Sequence, residues 1–261
     1  DINAIAFALD PTNTPSFLLD WELTKRCNLD CSYCLSGIET GGHDNSTEHP
    51  TLEKCLQTID FMYEYVDRYM MYKRPTQRKV VLNVYGGESL FHPDIVEILN
   101  ECKKRYAPYK DRWYLTLHCT TNAVVGARQW DKVDKLIDNF TISYHPEATA
   151  KQKAMVKRNA LKLKEQNIPF RVVTLMHNNK DHWADCMGAV KFFEQHGIEC
   201  TTKPLDNYGE RNWGYDGEQL KTFKTIWLNS VPTQQRAGYE KLISNIGDDR
   251  SKVSTINEGR S

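Results

Sequence analysis

Residues 24–34 read Thr24-Lys25-Arg26-Cys27-Asn28-Leu29-Asp30-Cys31-Ser32-Tyr33-Cys34, a C-x3-C-x2-C run directly after a β-rich segment that begins near Phe17. Three thiolates in so short a loop can face one metal centre. Zinc normally takes four tetrahedral ligands, usually as two separated pairs, and no second CxxC or His pair follows. A four-iron cluster held by three thiolates instead leaves one iron without a protein ligand, free to accept the amino and carboxylate groups of a cofactor. The spacing therefore favours an iron-sulfur centre with chemistry to do over a zinc site, an electron carrier or incidental thiols. The other cysteines, Cys55, Cys102, Cys119, Cys186 and Cys200, are scattered and read as reduced thiols in or near the core.

Working outward, short β-rich runs alternate with longer helical stretches, the pattern of a parallel sheet built from βα units. Six strands are expected, beginning near Phe17, Lys79, Trp113, Phe140, Phe170 and Ile198. Several are rich in apolar residues, as parallel strands covered on both sides tend to be. Residues Thr51 to Met71, after Pro50, predict a long helix with one broad buried face. Trp130, Val133, Leu136 and Ile137 share a helical face, as do Leu220, Phe223 and Trp227. The polar stretch Ser36 to Pro50 is a loop, and KRPTQRK breaks the chain before the second strand. The division is an N-terminal extension over 1–15, a core domain over 16–230 and a tail over 231–261, with a further helix near Tyr239 to Ile246.

Polar residues recur where the strands stop. Tyr85-Gly86-Gly87-Glu88 ends the second strand, where glycines let backbone approach a ligand and the acid can meet an ammonium; alone, such a triplet is more often a plain turn. Thr120, Thr121 and Asn122 end the third strand, Ser143, Tyr144 and His145 the fourth, Thr174, Met176 and His177 the fifth, and Lys203 and Asp206 the sixth. Parallel α/β folds put their chemistry at this carboxyl face because the βα loops converge there.

C-x3-C-x-Tyr-C after a strand, with Gly-Gly-Glu after the next, resembles the radical S-adenosylmethionine superfamily over about Phe17 to Asp206. The resemblance implies a partial (β/α)6 barrel. It further implies a [4Fe-4S] cluster on Cys27, Cys31 and Cys34, and S-adenosylmethionine cleaved to a 5'-deoxyadenosyl radical that takes a hydrogen atom from a substrate. By the same resemblance Tyr33 lies near the adenine, and Gly86, Gly87 and Glu88 meet the methionyl amino group. Asn122 and Ser143 then serve the cofactor's carboxylate and ribose, with the backbone near Met176 edging the adenine. His145 stands where many relatives have an acid, so its role stays open between ribose, substrate and loop packing. His145, His177 and Lys203 are the candidate substrate residues, Lys203 as the cation for an anionic group. The substrate is expected to be a peptide or a small molecule such as a heterocycle, and the electron donor a flavodoxin or ferredoxin. Peptide modifiers often carry a cysteine-rich C-terminal extension, and no cysteine follows Cys200, so either one cluster suffices or the chain stops before such an extension.

At 261 residues and 40% hydrophobic, the chain can bury a substantial core. Lys+Arg and Asp+Glu number 34 each, so no global basic field points to nucleic acid or an anionic membrane. No apolar run approaches the roughly 20 residues that span a bilayer, and Asp1 to Leu9 lacks the basic region of a signal peptide, so a soluble cytoplasmic protein is expected. Residue 1 is not Met, which implies a processed or partial chain. The aromatic stretch Asn207 to Gly217 receives no assignment.

Overall fold

The strands alternate in chemistry as they alternate in direction of side chain. On β1 (Ser16–Thr24), Phe17, Leu19 and Leu23 are buried, while Asp20 and Glu22 lie on the opposite face. Val80, Leu82 and Val84 of β2 (Lys79–Gly86) follow the same rule, with Asn83 and Tyr85 opposite. So do Phe140, Ile142 and Tyr144 of β4 (Asn139–Tyr144), with Thr141 and Ser143 opposite. Period-two patterning puts the apolar set under the helices and leaves a polar set on the inner face of the sheet. The expectation of strands apolar on both sides holds only for one face, because the inner face bounds a cavity rather than a second packed layer.

The structure is a computed structural model that describes residues 16–34, 48–70, 79–205, 215–219, 221–222 and 225. The expected N-terminal extension, the loop from Ser36 up to residue 47, most of the KRPTQRK break, Asp206, the aromatic stretch up to residue 214, the Leu220–Phe223–Trp227 face and the tail with its helix lie outside the described residues.

The remaining strands are β3 (Tyr114–Thr121), β5 (Phe170–Met176) and β6 (Cys200–Pro204). The sheet runs β1-β2-β3-β4-β5-β6 with every neighbouring pair parallel, and β1 and β6 do not pair, so it is an unclosed six-strand barrel. Two strands begin one or two residues later than the sequence suggests. The Trp113 N–H closes a turn on the Tyr109 carbonyl, and that of Ile198 bonds back to Phe193 after Gly197 at φ +60°.

Helices cover the apolar face. Pro50 and the N-cap Thr51 start α1 (Leu52–Tyr65), with Thr51 Oγ1 accepting from the Lys54 N–H; it continues as a π-helical segment over Val66–Met70 rather than as one regular helix. It packs on α2 (Ile95–Tyr106), where the Tyr63 hydroxyl donates to the Cys102 carbonyl at 3.0 Å. The short α3 (Ala127–Val133) ends before Leu136, which sits in the turn that follows, and Ile137 just beyond it, so the expected four-residue face is only half helical. Thr149 and Gln152 form a capping box at the start of α4 (Ala150–Glu165), and Asn179 caps α5 (Lys180–Gln195). Among the described residues no helix is long and apolar enough to cross a membrane.

Candidate active site

The cysteine loop leaves β1 and is tied at once to the end of β2. Thr24 pairs with Gly86; the Gly87 N–H then donates to the Thr24 carbonyl and the Glu88 N–H to that of Arg26, each at 2.8 Å. The ladder is so close that a Cβ built on Gly86 would lie 2.1 Å from the Thr24 oxygen, and one on Gly87 2.4 Å from the Arg26 oxygen. Gly86 also holds φ +148°, which L side chains rarely adopt. The two glycines thus dock the cysteine loop as well as lining the cavity. His49 holds the loop from the other side, with Nδ1 3.0 Å from Thr24 Oγ1 and its ring edge-on to His92.

A cavity of about 540 Å³ opens at the carboxyl ends of the strands. Cys27, Cys31, Cys34, Tyr33, Gly86, Gly87, Asn122, Ser143, His145 and Lys203 line it, so the structure brings these expected site residues together. Glu88, Met176 and His177 stand behind that wall rather than on it. The Met176 carbonyl accepts the Tyr215 hydroxyl at 2.5 Å. His177 stands edge-on to Tyr33 at 5.8 Å.

Glu88 is 1% exposed, and its carboxylate meets three donors of its own chain. Oε1 accepts the Leu90 N–H at 2.9 Å and the Thr121 hydroxyl at 2.8 Å, and Oε2 accepts the Asn122 N–H at 2.7 Å. Burial pushes its pKa up to about 6 despite those donors. A raised carboxyl pKa means that the fold prefers the neutral acid, so ionisation costs stability as pH rises from the ordinary 4.5 through about 6. We predict that the stability of the protein relative to its Glu88→Gln variant falls by about 2 kcal/mol between pH 4.5 and 7. Urea unfolding at the two pH values checks this, and a pH-independent difference contradicts it.

Asn122 joins this acid to the cysteine loop. Its Nδ2 donates to Asn28 Oδ1 at 2.8 Å and approaches Cys27 Sγ at 3.6 Å, while Asn28 Nδ2 reaches the Val124 carbonyl at 2.7 Å. The Leu29 N–H points at Cys27 Sγ from 3.4 Å. Burial drives the Cys27 thiol up to about 11 and the Cys31 thiol to about 12, so both are protonated at neutral pH until a metal displaces the proton.

Sequence reasoning missed Glu147. Its carboxylate accepts the Ser32 N–H at 2.7 Å and the Ser32 hydroxyl at 2.5 Å, clasping the loop between Cys31 and Cys34. His177 donates to it: the Asn179 N–H bonds to His177 Nδ1 at 3.0 Å, which leaves the Nε2 proton for Glu147 Oε1 at 3.2 Å. Burial alone would raise the Glu147 pKa, but the Ser32 donors and His177 outweigh it and hold the carboxyl below its ordinary value. The signal was available as an acid two residues beyond His145 at a barrel strand end. A lowered carboxyl pKa stabilises the fold above pH 4.5 and ceases to as pH falls through the folded value. Glu147→Ala should therefore cost about 1–2 kcal/mol at pH 7, discounted for partial exposure. In urea unfolding of the iron-free protein, that deficit should shrink toward pH 4; a constant deficit would contradict the assignment.

His145 stacks on Tyr33 with ring centroids 6.0 Å apart, and its Nδ1 lies 3.1 Å from the Tyr33 oxygen and 3.4 Å from Cys31 Sγ.

Among the described residues, no three His, Cys, Asp or Glu side chains converge on a point that one ion would fill. A four-iron cluster takes one thiolate per iron, so its ligands need not converge so closely. Three thiols of one short loop, all on one cavity wall, are a donor set that fits such a cluster.

The family profile described as Radical SAM superfamily matches residues 21–202. No curated protein matches the chain in sequence comparison. Among solved structures, one described as native anSMEcpe with bound AdoMet and Kp18Cys peptide is similar, with 14% identity and a TM-score of 0.58 over 82% of this chain and 59% of that one. Another, native anSMEcpe with bound AdoMet, matches at 14% identity and TM-score 0.58 over 88% of this chain and 62% of that one. The chain thus spans about three fifths of the length of these proteins, and the likeness is one of fold.

Proposed function

The chain belongs to the radical SAM superfamily, and we propose that it is an enzyme abstracting a hydrogen atom from a peptide substrate. When bound, a [4Fe-4S] cluster and S-adenosylmethionine together supply reductive cleavage to methionine and a 5'-deoxyadenosyl radical. The observation that carries the reading is that the three loop thiols and the Gly86-Gly87 backbone share one cavity wall at the carboxyl ends of the strands. Cys27, Cys31 and Cys34 hold the cluster. Backbone at Gly86 and Gly87 receives the methionyl ammonium, and Glu88, just behind, favours that cation by its charge while fixing Asn122. Asn122 and Ser143 serve the cofactor's carboxylate and ribose, and Tyr33 its adenine, with the Met176 backbone behind. His145 and Lys203 face the substrate from the cavity wall. His177 acts at one remove, through Glu147 and the ring of Tyr33.

A peptide substrate is supported by the fold shared with a structure described with a bound peptide. The electron comes from a small donor such as flavodoxin or ferredoxin. Among the described residues none of the eight cysteines forms a disulfide, which suits a reducing cytoplasm. The test is anaerobic incubation of iron- and sulfide-reconstituted protein with S-adenosylmethionine and dithionite, with mass spectrometry of the products. Release of 5'-deoxyadenosine and methionine supports the reading, and intact S-adenosylmethionine with a fully loaded protein contradicts it.

A further inference from the structure

The sulfurs of the cysteine loop differ in what points at them. Cys27 Sγ meets the Leu29 N–H at 3.4 Å and the Asn122 amide at 3.6 Å. Cys31 Sγ meets ring side chains instead. His145 Nδ1, just beyond β4, lies 3.4 Å from it, and the Tyr33 hydroxyl bonds it as well. Burial raises the Cys31 pKa and the bond from Tyr33 opposes it, the direction expected of a donor to the sulfur. His145 Nδ1 is also 3.1 Å from the Tyr33 oxygen, so the three polar atoms face one another. The Tyr33 ring cannot swing away: it is 5% exposed, stacked on His145 at 6.0 Å and edge-on to His177 at 5.8 Å.

Which atoms carry the protons follows from the sulfur. A ligand cysteine is a thiolate, which accepts hydrogen bonds and has no proton to donate. A bare Nδ1 lone pair 3.4 Å from that anion is repelled and an Nδ1–H is attracted, so the thiolate selects the Nδ1–H tautomer of His145. The Tyr33 oxygen can then accept from this N–H while its own proton turns to the sulfur.

We infer that His145, through Nδ1–H, and the Tyr33 hydroxyl donate to the Cys31 thiolate and so raise the reduction potential of the cluster. Hydrogen bonds to cluster sulfurs stabilise the more negative state, which is the reduced one. The step they bias is the passage of one electron from the donor to the cluster, with no bond made or broken in the chain. Both act as positioning residues, through Cys31. The inference rests on the reading of Cys27, Cys31 and Cys34 as cluster ligands, and goes beyond it by giving His145 a part in setting how easily the cluster is reduced.

The test is a potentiometric titration of the reconstituted protein with dithionite, in the absence of S-adenosylmethionine, followed by electron paramagnetic resonance. His145→Phe keeps a flat ring against Tyr33 and removes the N–H, and Tyr33→Phe keeps its ring and removes only the hydroxyl. Each should make reduction about tenfold less favourable, a potential about 59 mV more negative for one electron. Thr120→Val is the control, since Thr120 lines the same cavity but bonds Asn83 rather than the cysteine loop; its potential should stay where it was. An unchanged or raised potential in His145→Phe and Tyr33→Phe overturns the inference, and an equal drop in Thr120→Val overturns it in favour of general cavity polarity. Should His145→Phe not fold, the unaltered protein grown on 15N-histidine decides. Electron-nuclear double resonance of its reduced cluster should show a 15N coupling, and the absence of any such coupling overturns the inference. Iron analysis separates this from the ligand reading: four irons per chain with the potential unmoved removes only the tuning, and no four-iron signal in the unaltered protein removes the ligand reading itself.

Discussion

Replacing Cys27, Cys31 or Cys34 singly by Ala should abolish cluster binding, taking iron in the reconstituted protein from about four per chain to near zero. No nearby cysteine can step in. Cys55 and Cys102 lie in the packed interior with α1 and α2, Cys119 faces Ser89 Oγ at 3.5 Å, Cys186 donates to the Leu175 carbonyl at 3.2 Å, and Cys200 contacts Thr174. None of the five lines the cavity that Cys27, Cys31 and Cys34 share. Cys55→Ala and Cys119→Ala should therefore retain full iron, measured by metal analysis after reconstitution. Loss of iron in either, or its retention in Cys34→Ala, would contradict the ligand assignment.

Gly87→Ala should be nearly as damaging without touching a ligand. The added Cβ meets the backbone oxygens of Lys25 and Arg26 at 2.6 and 2.4 Å, and backbone cannot rotate away as a flexible side chain would. Relief requires breaking the 2.8 Å bonds from Gly87 to Thr24 and from Glu88 to Arg26, which releases the loop that carries Cys27. Overpacking of this kind costs about 3 kcal/mol, or roughly 6–12 °C in melting temperature for a chain of this size. Gly126→Ala is the control, since a Cβ there meets nothing within 4 Å. The expected result is a lowered melting point and poor iron loading for Gly87→Ala alone. Equal behaviour of the two variants would mean that Gly87 does not dock the loop.

The strands were legible because period-two apolar patterns and βα alternation are local signals. All six appear, with starts displaced only where a turn bond or a positive-φ glycine delays the strand. The cysteine loop and the Gly-Gly pair, which line one cavity, stood out by their spacing for the same reason. What escaped the sequence depended on which way side chains turn. Glu88 looked like a ligand-facing acid, yet it faces Leu90, Thr121 and Asn122, because the 3-10 turn at Ser89–Phe91 wraps its backbone over the carboxylate. Glu147 was hidden because its partners are Ser32 and His177, 115 and 30 residues away. Glu22 and Arg171 also line the cavity although they are not the last residues of their strands, because the inner face extends down the strands at every second position. The helix predicted through Ile137 stops at Val133 because Asp134 begins a turn, a choice that helical periodicity cannot reveal.

One iron of a cluster on Cys27, Cys31 and Cys34 should remain open to S-adenosylmethionine. Electron paramagnetic resonance of the reconstituted, dithionite-reduced protein, recorded with and without S-adenosylmethionine, tests it most directly. The expected result is the signal of a reduced [4Fe-4S] cluster whose g-values shift when S-adenosylmethionine is added. A four-iron signal unchanged by saturating S-adenosylmethionine, or a loaded protein holding zinc and no iron-sulfur signal, would contradict it.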